Sequence, residues 1–200
     1  MSEARRKPAT ARGQRTRGRL LEAAEDVFGE RGFERAAIAD ITRAANVAQG
    51  TFYVYFESKK EIFTELVEAL GATLRERLAD AVAGLPDEAN KERAAFSAFL
   101  AYIAEHQHLY RIVRQAEFVD EGLYRDYYRR LANDYIEHLE PQRRAGRLAH
   151  IDPEALAYAM MGIFDYLGMR WALWEGRMPP EAALDDVFAF INRGLERPLH

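Results

Sequence analysis

Four side chains that can form hydrogen bonds fall within seven consecutive residues of the sequence: Gln49, Thr51, Tyr53 and Tyr55. A short helix would turn them away from Phe52 and Phe56, the apolar anchors of its other face. Amide and hydroxyl groups bind phosphates or base edges, and the Thr51 methyl group can pack on a thymine methyl group. Gly50 adds a point at which another backbone can approach closely. We therefore interpret this helix as a surface that contacts nucleic acid.

The neighbouring residues form the elements that would position this helix. Residues 37–60 have the pattern of a short helix, a tight turn, a second short helix and the start of a third. Ile38 and Ile41 line one face of the first helix, and Asn46, which tolerates left-handed backbone angles, lies at the turn. Residues 58–61 form an S-x-x-E capping box that opens the last of these helices, the fourth predicted in the chain. This arrangement predicts a helix-turn-helix, whose second helix enters the DNA major groove.

Positive charge is concentrated before this segment. Residues 1–19 contain one acid, Glu3, and seven bases: Arg5, Arg6, Lys7, Arg12, Arg15, Arg17 and Arg19. That stretch carries +6 and the whole chain −4, so the other 181 residues carry −10. The asymmetry favours residues 1–16 as a disordered, DNA-contacting arm, with a purely solubilising tail as the alternative. Lys59, in a first helical turn where a cation opposes the helix dipole, is also interpreted as a phosphate contact.

Composition excludes several other classes of protein. The chain has 200 residues, of which 48% are hydrophobic and none is cysteine. It can therefore form a packed core, but no disulfide, thiolate nucleophile or cysteine-ligated zinc site. The sequence shows no secretion signal at its start and no apolar run of about 20 residues. We expect a cytoplasmic protein without a membrane span, a metal or a cofactor.

The remaining sequence predicts helices only. A first helix is expected from about Arg17 to Glu30, ending at Gly32. A long fourth helix is expected from Glu61 to about Ala83, ending at Gly84, Leu85 and Pro86. Further helices are expected at about 87–105, 108–118, 121–144, 153–174 and 181–195. The predicted fold is all-α with about nine helices. A three-helix DNA-binding domain at 17–63 is joined by the long helix to a larger helical domain at 64–200.

An ordered set of residues runs through the helix-turn-helix region: Leu20, Leu21, Glu22, Ala23, Ala24, Phe28, Gly32, Phe33, Ile38, Asp40, Ile41, Ala44, Ala45, Val47, Gly50, Thr51, Phe52, Tyr53, Val54, Tyr55, Phe56, Ser58, Lys59 and Lys60. In this order and spacing the set resembles the DNA-binding domain of the TetR family of bacterial transcriptional regulators. Two positions depart from the family pattern. Ala37 stands where a capping threonine is usual, and Ala48 where a capping serine is usual. Alanine is a poor N-cap, by roughly 1 kcal/mol, so we expect backbone amides at both helix starts to replace the hydroxyl contacts with phosphate.

The resemblance implies sites for three partners. Double-stranded DNA with a palindromic operator would contact Arg17, Ala37, Ala48, Gln49, Gly50, Thr51, Tyr53, Tyr55 and Lys59. A second copy of the chain would pack against the last two helices to form a homodimer. A mostly apolar small-molecule effector would bind within residues 64–200, where the candidates are Phe96, Phe99, Tyr102, Tyr110, Arg114, Phe118, Tyr127, Tyr128, Met160, Phe164, Asp165 and Trp171. Ordinary core packing is the competing interpretation of these large side chains.

The combined prediction is a homodimeric transcriptional repressor that a ligand releases from its operator. Two alternatives stay open: a ligand-independent DNA-binding regulator, and a helical interaction protein without DNA. An enzyme is disfavoured, because His106 and His108 are too close in sequence to share a helix face and no nucleophile elbow or phosphate-binding loop is visible.

Overall fold

The computed structural model describes residues 10–85, 88–106, 108–146, 148 and 151–195, and this part of the chain contains helices and no strand. The α-helices are α1 (Ala11–Arg31), α2 (Ile38–Ala44), α3 (Gln49–Tyr55), α4 (Lys59–Val82), α5 (Glu88–Glu105), α6 (Leu109–Val119), α7 (Glu121–Arg144), α8 (Pro153–Gly168) and α9 (Glu181–Leu195). A π-helical segment, Met169–Leu173, continues directly from α8. The all-α prediction and its helix order are confirmed. None of the helices described is both long and apolar enough to span a lipid bilayer.

Helix α1 begins six residues earlier than the predicted start at Arg17. Thr10 caps the helix, because its hydroxyl oxygen accepts a hydrogen bond of 3.1 Å from the Gly13 N–H. The prediction of a disordered arm was therefore wrong for residues 11–16, which the cap and good helix-forming arginines hold in helical form. Residues 1–9 of the predicted arm, including three of its basic residues, lie outside the described part.

The chain divides into two compact units. The N-terminal unit comprises Met1–Leu70 and His108–Arg125, and the C-terminal unit comprises Gly71–Gln107 and Asp126–His200. The sequence-based division had assigned residues 108–125 to the larger helical domain. In the structure they belong with the DNA-binding helices, because α6 packs on α1. Helices α4 and α7 each contribute residues to both units.

A ring of apolar side chains from α1 to α4 and α6 forms the core of the N-terminal unit. Phe28, Phe33 and Phe63 stack around one another, with ring centroids 5.0 to 5.7 Å apart. Other fully or nearly buried residues are Leu20, Ala24, Ile41, Phe52, Phe56, Ile62, Val67, Ile112, Val113 and Ala116. Burial of this much apolar surface positions the two short helices, which are too short to be stable alone.

The end of α1 is also tied to α6 by hydrogen bonds to backbone atoms. Gln115 accepts from the Phe33 N–H and donates to the Phe28 carbonyl oxygen at 3.4 Å. Arg111 donates to the Gly29 carbonyl oxygen at 3.2 Å. The His108 ring occupies the space that a side chain at position 29 would fill. Glycine is therefore required there for close helix packing.

The C-terminal unit has its own core, built by α5, α8 and α9. Its buried residues are Phe96, Leu100, Met160, Leu184, Phe188 and Ile191, with partly buried neighbours that include Phe99 and Phe164. The centroids of the Phe96 and Phe164 rings lie 4.6 Å apart. This cluster holds α8 and α9 through one side of each helix.

Candidate nucleic-acid interface

Helices α2 and α3 are joined by a tight turn that has the predicted backbone geometry. Asn46 has a φ of 51°, which confirms that it adopts the left-handed conformation. The Val47 N–H donates to the Thr42 carbonyl oxygen at 3.0 Å and closes the turn. Arg19 secures the turn from outside, since its guanidinium donates to the carbonyl oxygens of Ala45 and, at 3.1 Å, of Asn46.

Both short helices have an alanine, Ala37 or Ala48, at the N-cap position, and neither start has a side-chain cap. At α2 the Asp40 carboxylate compensates, because it accepts a hydrogen bond of 3.2 Å from the Ala37 N–H. Ala37 and Ala48 are both exposed. The structure thus places these two residues at the surface and gives no hydroxyl group to either helix start.

Helix α3 presents most of the predicted contact residues to solvent. Its anchors Phe52 and Phe56 are fully buried, whereas Gln49 and Gly50 are exposed and the Tyr53 side chain is 45% exposed. Thr51 and Tyr55 are half-buried at the edges of this face. The exposed residues Ala48, Gln49, Gly50, Tyr53 and Val54 are called the α3 surface below.

Gly50 is informative because the fold itself does not need glycine at this position. A Cβ atom built on Gly50 would have no heavy atom within 4 Å, and its φ is not in the left-handed region. Glycine in a helix costs roughly 0.5–1 kcal/mol relative to alanine. The missing side chain leaves open space beside the start of α3 at the protein surface.

Lys59 has a different place from the one that the sequence indicated. Its ammonium group donates to the carbonyl oxygens of Phe33 at 2.6 Å, Ala36 at 2.9 Å and Glu34 at 3.3 Å. It also lies 4.4 Å from the centroid of the Phe33 ring. A lysine has three N–H donors, and all three are used here. Lys59 thus holds the connection between α1 and α2, and its phosphate contact stays a prediction.

Arg17 is also engaged within the N-terminal unit. Its guanidinium forms an ion pair with Glu65 and lies 5.2 Å from the centroid of the Phe56 ring. Only 22% of the Arg17 side chain is exposed. The structure therefore places Arg17 on α1 against Glu65 of α4 and against Phe56, and its DNA contact stays a prediction.

Two exposed residues of the helix-turn-helix were missed by the sequence analysis. Val54 is 63% exposed on α3, although its apolar character and position between two tyrosines indicated no role. The Arg43 side chain on α2 is 74% exposed. The sequence could have indicated a role for Arg43, because it is the only basic residue between positions 37 and 55.

The predicted effector-binding residues fall into separate groups. In the C-terminal unit, Phe96 and Met160 are buried in the core cluster, with Phe99 and Phe164 packed against it. For these four the competing interpretation, ordinary core packing, describes their contacts. Trp171 is half-buried in the π-helical segment, with the Arg170 guanidinium 5.8 Å from its ring centroid.

A second group in the C-terminal unit combines aromatic rings with polar groups. Tyr102 and Tyr127 are buried, and Tyr128 and Asp165 are half-buried. Burial, followed by electrostatic interaction with nearby Tyr102 and Asp165, raises the pKa of the Tyr127 hydroxyl. The Tyr127 ring also lies 3.0 Å from the position of a Cβ atom on Gly71, so α4 and α7 are in close contact here.

The third group lies on α6 in the N-terminal unit. Tyr110 is buried, and the exposed Arg114 lies with its guanidinium 5.9 Å from the Tyr110 ring centroid. Phe118 is 88% exposed, so it contributes to a surface and does not line an enclosed pocket. The prediction had grouped all twelve residues in one helical domain, because helical spacing cannot distinguish which neighbours a helix packs against.

The histidines take part in packing contacts. The His106 ring lies 4.5 Å from the Tyr102 ring, and His108 packs on Gly29. His150 and His200 lie outside the described residues. Across the ranges that are described, no group of three or more His, Asp or Glu side chains is placed to hold a metal ion.

The comparisons with known proteins agree with this geometry. The family model for bacterial regulatory proteins of the tetR family matches residues 20–66, which contain α2, α3 and the start of α4. The HTH-type transcriptional repressor KstR2 of Mycobacterium tuberculosis is 31% identical over 177 residues, covering 88% of this chain and 76% of KstR2. The chain belongs to the TetR family of bacterial regulatory proteins. It is therefore a DNA-binding transcriptional regulator.

Other TetR-like relatives extend the similarity along the chain. The HTH-type transcriptional regulator YdgC of Bacillus subtilis is 28% identical over 187 residues, 90% of this chain and 93% of YdgC. A TetR-like regulator from Rhodococcus sp. RHA1 has a TM-score of 0.71 at 25% identity, over 90% of this chain and 95% of that one. FadR from Bacillus subtilis, solved in complex with stearoyl-CoA, has a TM-score of 0.76 over 92% and 99% of the two chains. At 19% identity, the FadR comparison shows the fold alone.

Proposed function

We propose that this TetR-family regulator is a homodimeric repressor that binds a palindromic operator and is released by a mostly apolar small molecule. The observation that carries the proposal is the α3 surface, where Gln49 and Tyr53 are exposed beside a glycine that the fold does not need. KstR2, the relative that is similar over 88% of the chain, is a repressor. FasR of Mycolicibacterium smegmatis, an activator, is similar over 52% of the chain. The longer match favours repression.

The α3 surface has the chemistry of a helix that reads DNA. The Gln49 amide can bond to the N6 and N7 atoms of an adenine, and the Tyr53 hydroxyl can donate to a phosphate. Thr51 and Tyr55, half-buried at its edges, would add polar contacts from the same helix. Gly50 would let the start of α3 approach the sugar–phosphate backbone. Val54, 63% exposed, would contact a thymine methyl group.

The homodimer would form through α8 and α9. The exposed side of α8 carries small and aromatic residues at helical spacing: Ala155, Tyr158, Ala159 and Tyr166. Gly162, between them, would have no heavy atom within 4 Å of a Cβ atom, so it offers space to a helix of another copy. Phe190 on α9 is 72% exposed. Exposed apolar patches of this kind mark protein interfaces, and a two-fold dimer would match a palindromic operator.

The effector would bind in the C-terminal unit near Tyr102, Tyr127 and Asp165. These groups combine hydroxyl and carboxyl oxygens with buried aromatic rings, which suits an apolar ligand with one or two polar groups. Helix α4, which contributes residues to both units, would carry the effect of the ligand toward α3. A few kcal/mol of preference for the non-binding arrangement would be enough to release the operator.

Selection of bound duplexes from a random DNA library tests DNA recognition. Wild-type protein at about 150 mM salt is expected to enrich a two-fold symmetric sequence, because non-specific phosphate binding is weak at that salt concentration. Tyr53→Ala should lose the enrichment. Phe118→Ala, which removes another exposed aromatic ring of the same unit, should keep it. A consensus that Tyr53→Ala also enriches would show that the α3 surface does not read the operator.

The selected operator then allows ligand control to be tested. A panel of phenols and amphiphilic carboxylates would be screened for compounds that raise the melting temperature of the protein. A compound that binds at the proposed site should weaken operator binding, and Tyr127→Phe should reduce its affinity without changing operator binding in its absence. If saturating ligand left the operator affinity unchanged, the regulator would be ligand-independent.

A further inference from the structure

We propose that Arg43 makes the charged phosphate contact of the helix-turn-helix. From the sequence alone, Lys59 and Arg17 had been the predicted residues for such a contact. The inference builds on operator binding through the α3 surface and adds a residue to it. It rests on four observations: the charge of the segment, the engagement of its neighbours, the pairing of Asp40, and the position of Arg43 beside the start of α3.

The helix-turn-helix segment carries very little charge of its own. Residues 37–55 contain one basic residue, Arg43, and one acidic residue, Asp40. DNA binding depends on cations that replace the counterions of the phosphates. If the segment contacts DNA with a single cation, its electrostatic attraction to the phosphates therefore depends on whether that side chain is free to reach them.

Three cations near the segment already bind groups of the protein. Lys59 donates to three carbonyl oxygens, Arg17 pairs with Glu65, and Arg19 donates to the carbonyl oxygens of the turn. Moving any of them onto a phosphate would leave backbone or carboxylate groups unsatisfied. The Arg43 side chain, by contrast, is 74% exposed, and Asp40 is its one polar partner among the residues that the structure describes.

Asp40 does not neutralise Arg43, because other groups also use its carboxylate. Its Oδ2 atom lies 3.0 Å from the Arg31 guanidinium and accepts from the Ala37 N–H at 3.2 Å. Its Oδ1 atom lies 3.3 Å from Arg43, a longer contact than the one with Arg31. One carboxylate between two guanidinium groups leaves a local charge of about +1, and Arg43 is the more exposed of the two arginines.

The position of Arg43 indicates a phosphate rather than a base. Arg43 lies in the last turn of α2 and borders a groove of about 470 Å³. The groove is also lined by Asn46, Ala48 and Gln49, at the turn and the start of α3. When a helix-turn-helix docks, its second helix enters the major groove while its first helix crosses the DNA backbone. A cation on α2 next to the start of α3 would therefore lie against the phosphates of the DNA strand that borders the major groove.

The salt dependence of DNA binding tests this contact. Wild type, Arg43→Ala and Arg43→Lys would be compared on the selected operator and on a scrambled duplex from 50 to 200 mM salt. Each phosphate contact contributes about 0.9 to the slope of log affinity against log salt. With one Arg43 per half-site, Arg43→Ala should reduce the slope by about 2. The ratio between wild-type and variant affinity should then shrink about tenfold across the salt range.

The controls separate charge, contact and folding. Arg43→Lys keeps the charge and should keep most of the slope. Arg130→Ala makes the same change in net charge at an exposed position of the C-terminal unit and should leave the slope unchanged. Circular dichroism should show unchanged helix content for Arg43→Ala, because the side chain is exposed.

Three results would overturn the proposal. One is unchanged affinity of Arg43→Ala for both duplexes. Another is a loss confined to the operator with an unchanged slope, which would assign Arg43 to a base. The third is an equal loss of slope in Arg43→Lys. Failure of the wild type to select any sequence would instead count against operator recognition by the α3 surface. The salt dependence of binding to the scrambled duplex would still test the role of Arg43.

Discussion

The α3 surface and the exposed side of α8 both present side chains that the chain does not need for its own packing, but their chemistry differs. The α3 surface combines an amide, a tyrosine hydroxyl and small residues around Gly50. The exposed side of α8 has alanines and the rings of Tyr158 and Tyr166 around Gly162, and no amide side chain. Both glycines have open space where a side chain would be. Under the proposed function, an exposed helix glycine would face DNA in one unit and a second copy of the chain in the other.

The largest expected effect concerns the apolar surface. Tyr166 is 66% exposed, and Tyr166→Arg would place a charge in the proposed dimer interface. Because the interface would be two-fold symmetric, it would contain the substituted residue twice. At about 2 kcal/mol per copy, dimer affinity should fall roughly 1,000-fold. Sedimentation equilibrium over a concentration series measures this loss.

The matched variant for that experiment is Tyr53→Ala, which alters the α3 surface instead. It should leave the dimer intact and weaken operator binding. If the wild-type protein were monomeric at all concentrations, the exposed side of α8 would not be a dimer interface.

Lys59 should matter more for stability than for DNA charge. Lys59→Ala leaves three carbonyl oxygens without their donor, so we expect a loss of about 2 kcal/mol in the free energy of unfolding. Lys60→Ala is the matched control, because Lys60 pairs with Asp120 at 2.9 Å on the surface. Urea denaturation followed by circular dichroism compares the two. Equal stability of both variants, with a reduced salt slope for Lys59→Ala, would restore Lys59 as a phosphate contact.

Gly29 provides the opposite case to Gly50. A Cβ atom at position 29 would lie 1.9 Å from Cγ of His108, so Gly29→Ala should cost about 1–3 kcal/mol through overpacking. Gly18→Ala in the same helix has nothing within 4 Å and should stabilise the protein. Thermal melts of the two variants measure the difference. Adding His108→Ala should recover part of the loss, and no recovery would mean that another contact is responsible.

Gly50→Ala should have effects of opposite sign on folding and binding. The open space at Gly50 predicts a gain of roughly 0.5–1 kcal/mol in the free energy of unfolding. Operator binding should weaken, because the added methyl group keeps the DNA backbone away from α3. Denaturation and titration of a labelled operator measure the two quantities. Wild-type operator affinity in Gly50→Ala would show that no backbone approaches this glycine.

The smallest effect is the pH dependence of the Lys60–Asp120 pair. A hydrogen bond from Lys60 holds the pKa of the Asp120 carboxyl below its usual range. A lowered pKa in the folded state stabilises the protein above the pKa of the unfolded chain, near 3.9, and this contribution is lost as pH falls further. The free energy of unfolding of the wild type should therefore exceed that of Lys60→Ala by less than about 1 kcal/mol near neutral pH. The two values should become equal in acid. A constant difference across urea melts at several pH values would exclude this ion pair as the cause.

Much of the fold follows from local features of the sequence. The turn at Asn46, the helix stop at Gly32 and the opening of α4 by Ser58 all depend on residues within one helical turn of one another. The capping box was correct in part. The Ser58 hydroxyl accepts from the Glu61 N–H as predicted, whereas the Glu61 carboxylate accepts from the Glu57 N–H. Apolar spacing identified the buried faces because helical periodicity is also local.

The functional surface was predicted less completely, since charge alone does not show where a cation points. Lys59, Arg17 and Arg43 are equivalent as basic residues near a helix-turn-helix. In the structure the first two are engaged and the third is exposed. The prediction also grouped Phe118 with residues of the other unit, although it is exposed on α6.

The sequence by itself determined the all-α fold, the helix-turn-helix and the identity of the residues on α3. Only the tertiary structure decided which cations remain exposed and which unit α6 joins. The reason is the range of the interactions involved. Arg17 and its partner Glu65 are 48 residues apart, and Lys59 reaches a carbonyl oxygen 26 residues away. Such partners meet only after the helices pack, and no pattern within a single helix specifies them.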